Sequence, residues 1–97
     1  MSESINNIKD RLIRFIREEE NRLIELRYPT WMINSHKECI DNGLTAVMST
    51  IQYTEFLVNR QTIRNKSITA INILNGINNI NVLEKLGMID VKLYFGS

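Results

Sequence analysis

The single histidine and the single cysteine of the chain, His36 and Cys39, are the residues best placed to do chemistry. They stand three residues apart, so in a helix they would share a face of the first turn, where the helix dipole favours a thiolate. A structural zinc site needs four ligands, and a cysteine nucleophile needs a base and oxyanion donors. The sequence supplies neither set. We therefore expect no metal site, and we interpret Cys39 as a small buried apolar residue and His36 as a polar first-turn residue.

Other signatures of enzymes are also missing from the sequence. Carboxylates cluster only in Glu18-Glu19-Glu20, where adjacent side chains point in different directions around a helix and cannot meet at one substrate atom. No glycine-rich phosphate loop, dinucleotide fingerprint or HExxH motif occurs. The sequence therefore predicts a protein that is not an enzyme and carries no cofactor.

A local basic patch consists of Arg60, Arg64 and Lys66. No acidic residue occurs between positions 57 and 83, and amide and hydroxyl side chains flank the three cations. In a continuous helix Arg60 and Arg64 would lie one turn apart and could hold phosphate oxygens. Three cations bind a phosphate backbone only weakly, and a dimer would double the number of cations. The patch predicts contact with a nucleic acid or an anionic nucleotide ligand, or else an ordinary solvated surface.

Large side chains crowd the segment around the one proline, with Tyr28, Trp31 and Met32 close together. Amphipathic aromatic residues of this kind are enriched where proteins bind each other. We expect these three residues to contact a partner, and we expect Phe95 to join them through a terminal strand that extends a partner sheet. The alternative is that Trp31 closes the open end of a helical hairpin.

The clearest predicted helix runs from Ser4 to Arg27, because its apolar residues recur at three- and four-residue steps and so share one face. Tyr28-Pro29 should end it, since proline has no amide proton and restricts the residue before it. Glu19 falls on the apolar face and interrupts a strict coiled-coil seam. The pattern therefore favours a globular helical bundle over a fibre.

A second long helix is predicted to begin at Ser35 and to end around Arg60 or slightly later. Ser35 and Glu38 have the spacing of a capping box, and an apolar stripe follows them. Gly43 lies inside this predicted helix at a cost of about 1 kcal/mol relative to alanine, which indicates close approach of another helix.

Two interpretations stay open for the segment from Ile68 to Val82. Ser67 can cap a short helix that ends at Asn75-Gly76, but the same Asn-Gly pair is also typical of a β-hairpin turn. A further helical turn or two is predicted for residues 82–86, closed by Gly87. The strict alternation of residues 89–95 predicts a half-buried terminal strand.

Together these elements predict a mainly α fold with two long antiparallel amphipathic helices, a short C-terminal helical section and a terminal strand. The alternative is an α+β fold with a C-terminal hairpin. A chain of 97 residues falls within the size of one domain, which would cover residues 1–97. A core this small provides only marginal stability unless a second subunit adds buried surface, so we expect a homo-oligomer.

Composition points to an ordinary globular protein rather than a disordered or membrane-bound one. The formal net charge is +1, which gives no bias of the whole molecule toward nucleic acid or lipid. One cysteine and no signal peptide or membrane span predict the cytoplasm, and frequent isoleucine and asparagine suggest an AT-rich phage or viral genome and thus a host cytoplasm. The leading hypothesis is a non-enzymatic protein-binding accessory module, and the alternative is a small nucleic-acid-binding regulator.

Overall fold

Five α-helices make up the part of the chain that the structure, a computed structural model, describes, which is residues 4–96. They are α1 (Ile5–Arg27), α2 (Thr30–Asp41), α3 (Thr50–Asn75), α4 (Ile80–Lys85) and α5 (Met88–Phe95). No β-strand occurs in this range, so the predicted mainly α fold is confirmed. Within the same residues, no helix is both long and apolar enough to cross a lipid bilayer.

α1 forms where the sequence predicts it. The Ser4 side chain accepts a hydrogen bond from the Asn7 amide at 3.2 Å and caps the helix. The apolar face of α1 supplies much of the core, and its buried apolar residues are Ile8, Leu12, Ile16, Leu23 and Ile24. The helix ends at Tyr28-Pro29, which confirms the predicted stop.

The helix after the proline begins earlier than predicted. α2 starts at Thr30 because the Glu25 carboxylate accepts hydrogen bonds from the Thr30 amide and hydroxyl, at 3.2 and 2.5 Å, and so caps the new helix. Ser35 and Glu38 therefore lie within α2 rather than at its start. The predicted start at Ser35 is wrong, because Glu25 caps the helix at Thr30, five residues before Ser35.

Gly43 ends α2 instead of lying inside a longer helix. Its φ angle is +68°, a left-handed conformation that glycine adopts without steric cost. The amides of Gly43 and Leu44 donate to the carbonyls of Ile40 and Cys39, which is the Schellman pattern of helix termination. Within residues 4–96 nothing lies within 4 Å of where a Cβ of residue 43 would be, so the predicted helix contact at this glycine is wrong.

α3 begins with a capping box that the sequence analysis did not single out. The Ser49 hydroxyl accepts from the Gln52 amide at 3.1 Å, and the Gln52 side chain accepts from the Ser49 amide at 2.9 Å. From there the helix continues through the basic patch to Asn75, followed by Gly76. The predicted end near Arg60 and the alternative β-hairpin over residues 68–82 are both wrong, because α3, a short turn and α4 occupy these positions.

The C-terminal part is helical as well, and the predicted terminal strand is wrong. Asn79 caps α4, and the Asp90 carboxylate accepts from the Gly87 amide at 2.8 Å at the start of α5. In α5 Val91 and Phe95 are four residues apart, share a face and are buried in the core. Among residues 4–96 no neighbouring strand is present to pair with an extended segment, and a helix satisfies its own backbone.

α1 and α3 run antiparallel. Near the start of α1 the Lys9 ammonium donates to the carbonyl of Asn75, at the end of α3, at 3.0 Å. Just beyond the end of α1, Thr30 accepts from Arg60 in the first half of α3. α4 and α5 pack against α1 and complete the main core, whose buried members are Ile8, Leu12, Ile16, Leu23, Ile24, Ile63, Leu74, Leu83, Val91 and Phe95.

The molecule divides along its length into two regions. We call residues 5–27 and 61–95 the body, because they hold the main core, and residues 30–60 the arm. The arm consists of α2 and the first half of α3, which contact each other through the stacked rings of His36 and Tyr53 and through the hydrogen bond from Arg60 to Thr30. The described chain is therefore elongated, with extents of 61 × 20 × 18 Å.

Candidate interaction surfaces

The joint between body and arm is an aromatic contact. Tyr28 is partly buried and packs edge to face on Phe56, with ring centroids 5.5 Å apart. Met32 is also partly buried, whereas Trp31 is 63% exposed. Of the predicted partner contacts near the proline, Trp31 therefore offers the most surface, and Tyr28 serves to join the two regions.

Phe95 lies inside the body. It is 2% exposed and belongs to the main core, and its position on α5 is a helical one. A partner could not reach the Phe95 ring without opening that core. The contact proposed for Phe95 on sequence grounds depended on a terminal strand, which the chain does not form.

His36 holds α2 on α3. Its ring is buried and stacks on Tyr53, with centroids 4.1 Å apart and an interplanar angle of 19°. Nδ1 accepts a hydrogen bond from the Met48 amide at 3.4 Å, so the imidazole also fixes the loop before α3. Cys39 is a partly buried free thiol. Across residues 4–96 no group of three or more His, Cys, Asp or Glu side chains is arranged to hold a metal ion.

The three cations of the basic patch do not share one surface. Arg60 is only 8% exposed, and its guanidinium donates to the Thr30 hydroxyl at 3.4 Å. Thr30 in turn donates to Glu25 from both its hydroxyl and its amide, and these two hydrogen bonds lower the pKa of the Glu25 carboxyl below its usual value. Arg64 is exposed, and Lys66 projects from a different side of α3. Arg60 thus stabilises the arm, and two separated cations remain for solvent or ligand.

A groove runs between α2 and α3 on one side of the arm. It encloses about 340 Å³, and we call it the arm groove; its lining residues are Ile33, Lys37, Tyr53, Leu57, Arg60, Gln61 and Arg64. Ile33, Tyr53 and Leu57 form an apolar floor, while Lys37 and Arg64 are exposed at its margin. Among residues 4–96 no carboxylate lines this groove, although Asp41 borders a neighbouring depression beside Lys37. The arm groove is therefore of mixed polarity, with a few apolar side chains beside a positive margin.

A second opening lies in the body, between α1, α3 and α5. This cleft has a volume of about 140 Å³, and nearly all of its wall is apolar. Its one charged residue is Asp90, whose carboxylate is already bound to the Gly87 amide. The cleft can accept one apolar side chain or a small apolar molecule, and it offers no group for acid–base chemistry.

Large apolar side chains are exposed on both regions, and for its length the arm carries more of them than the body. Those of residues 31–58 that are large and exposed are Trp31, Ile40, Leu44, Val47, Ile51, Leu57 and Val58. The sequence pattern predicts one long amphipathic helix over most of the arm, and several of these residues belong to the stripe that such a helix would bury. The sequence of α3 does indicate that one buried stripe is not the whole description, because its apolar residues occur on all sides of the helix. A helix of this kind normally lies between several neighbours.

Comparisons of the chain with protein-family models, with curated proteins and with solved structures found no match. The functional interpretation therefore depends on the surfaces described above.

Proposed function

We propose that the chain is a non-enzymatic protein-binding module whose arm groove accepts a helix of a partner protein. The arm groove carries this proposal, because it places the side chains of Ile33, Tyr53 and Leu57 beside the exposed cations of Lys37 and Arg64. An amphipathic helix binds such grooves by burying its apolar face. The lysine and arginine at the margin favour a partner helix that carries acidic residues beside that face.

Trp31 supplies a second contact region. Ile33 and Lys37 line the groove and lie about 200° and 240° around the α2 axis from Trp31, so Trp31 lies away from the groove side of α2. An exposed tryptophan is the side chain most often found at the energetic centre of an interface. A partner larger than a single helix would cover both regions.

Fewer observations support the binding of a nucleic acid or a nucleotide than support the binding of a protein. Most of the acid-free segment lies in α3, and Arg64 and Lys66 could contact phosphates. The engagement of Arg60 with Thr30, however, leaves fewer cations than the sequence suggested. The arm groove therefore favours a protein partner.

A designed peptide tests the groove. The probe is a labelled helical peptide of roughly 18 residues with leucines on one face and glutamates elsewhere, and its counterpart carries lysines instead. We expect the acidic peptide to bind at least about tenfold more tightly at low salt, because the groove margin is positive. Fluorescence anisotropy measures both affinities.

Variants at neighbouring positions provide the controls. Leu57→Glu places a charge on the groove floor and should weaken the acidic peptide at least about tenfold, whereas Val58→Glu, one residue along on another side of α3, should leave it unchanged. Trp31→Ala should weaken the binding of a larger partner, once found, by about 1 kcal/mol or more. Equal binding of the two peptides, or full binding by Leu57→Glu, would count against the groove.

A further inference from the structure

The outward side of α3 carries an uncharged stripe that runs the length of the helix. We call it the outer stripe, and its residues are Ile51, Thr54, Val58, Thr62, Asn65, Thr69 and Asn72, all of them exposed. They recur at three- and four-residue steps, as the seam positions of paired helices do. The residues that α3 buries against the rest of the chain lie on the opposite side of the helix, at Phe56, Arg60, Ile63, Ser67 and Leu74.

The outer stripe is unusual for a solvent-facing surface. Ile51 is 72% exposed and Val58 is 57% exposed, and they stand seven residues apart on the same line. The solvent side of a helix is normally rich in charged residues, whereas this line contains only isoleucine, valine, threonine and asparagine. A surface without charge can meet a copy of itself without like-charge repulsion.

The exposed area of the chain matches the need of one subunit in a dimer. A compact monomer of 11.3 kDa exposes about 5,700 Å². This chain exposes 6686 Å², an excess of about 1,000 Å². A standard protein–protein interface covers about 800 Å² on each partner. One interface along α3, a helix of about 39 Å, is therefore of the size that this excess can supply.

Charges beside the stripe indicate the direction of the second copy. Glu55 and Lys66 lie on the same edge of the stripe, eleven residues or about three turns apart. If the copy runs antiparallel about a two-fold axis near residues 60 and 61, Glu55 lies beside Lys66 of the second copy, and the reverse pair forms as well. A parallel arrangement brings no such opposite charges together.

From these observations we infer that the outer stripe of α3 is a self-association surface, on which α3 of a second copy packs antiparallel. This surface is separate from the arm groove, since Leu57 and Val58 face different sides of the helix. The dimer and the partner-binding function can therefore fail independently.

Light scattering on a size-exclusion column tests the dimer. The wild-type chain at about 100 µM should have twice the 11.3 kDa chain mass. Val58→Glu places two like charges at the seam and should weaken the dimer by about 100-fold, leaving mostly monomer. Leu57→Glu, the same substitution one residue away, should remain dimeric, and circular dichroism should show unchanged helix content in both. Ile51→Ser provides a second stripe variant with a smaller change in the same direction.

A charge exchange tests the orientation. Glu55→Lys and Lys66→Glu should each weaken the dimer severalfold, and the double variant should restore it, because the opposite charges would again face each other. A monomeric wild-type chain, or an oligomer that Val58→Glu leaves intact, overturns the inference. Single charge variants that dimerise like the wild type overturn the antiparallel pairing.

Discussion

At the scale of single residues, Glu19 is a carboxylate within the apolar face of α1. It is 7% exposed, and both of its oxygens accept from the Nε of Arg22 at 3.1 Å. This hydrogen bonding lowers the pKa of Glu19 below its usual value, although burial acts in the opposite direction; the nearby charges of Arg22, Lys92 and Arg27 add to the lowering. The sequence showed Glu19 as an interruption of the stripe, and the structure shows how Arg22 makes that interruption tolerable.

The lowered pKa predicts how stability depends on pH. A carboxyl group with a depressed pKa in the folded state stabilises it above the unfolded pKa, near 4.3, and that contribution disappears as the pH falls through the folded value. Glu19→Gln should therefore lower the free energy of unfolding by about 1 kcal/mol at pH 7. Urea unfolding at pH 7 and pH 3 measures the difference. A Glu19→Gln penalty that stays the same at pH 3 would show that charge plays no part.

At the scale of elements, Gly43 separates α2 from α3 and so creates the arm. A continuous helix from Thr30 through α3 would have no reversal of direction, and the arm groove would not form. The left-handed φ of +68° at Gly43 makes the reversal possible, because it lets the amides that follow bond back to the last carbonyls of α2.

Substitution at this glycine has a specific cost. Gly43→Ala should destabilise the chain by about 1 kcal/mol, because alanine is strained at a positive φ even though open space surrounds the position. Gly76→Ala is the matched control: Gly76 has a φ of −80°, which alanine adopts without strain, and an added Cβ would meet its nearest atoms at 3.4 Å or more, so no loss of stability is expected. Thermal unfolding of the two variants compares them. Equal stabilities would contradict the proposed role of Gly43.

At the scale of the whole molecule, elongation is the main property. The radius of gyration is 17.7 Å, whereas a compact chain of this length has about 12.5 Å. The difference arises because the arm extends past the body, with a small contact of its own between His36 and Tyr53. Extension of this kind places apolar surface where partners can reach it.

Small-angle X-ray scattering can check the shape. The Val58→Glu variant, measured as a monomer, should give a radius of gyration near the observed 17.7 Å rather than near the compact value of about 12.5 Å. A compact value would mean that the arm folds back on the body. In that case the arm groove would be covered by the chain itself.

The sequence by itself determined the parts of the protein that local chemistry controls. The apolar residues from Ile5 to Leu23 repeat at helical spacing over about five turns, so the face of α1 and its place in the core followed from the sequence. The end of that helix followed as well, since proline cannot continue the hydrogen-bond ladder. The residues that line the arm groove were not predicted as a set, because they come from two helices whose alignment depends on where α3 begins.

The tertiary structure decided between local signals of equal strength. Ser35-x-x-Glu38 and Ser49-x-x-Gln52 both match a capping box, but only Ser49 begins a helix, because the contact of Thr30 with Glu25 had already started α2. Residues 89–95 alternate like a strand yet form α5, since the helical pair Val91 and Phe95 reaches the core and residues 4–96 provide no strand to pair with. The first choice depends on the contact of Glu25 with Thr30 across the proline turn, and the second on the packing of α5 against the core. Neither contact is contained in the pattern of the segment itself.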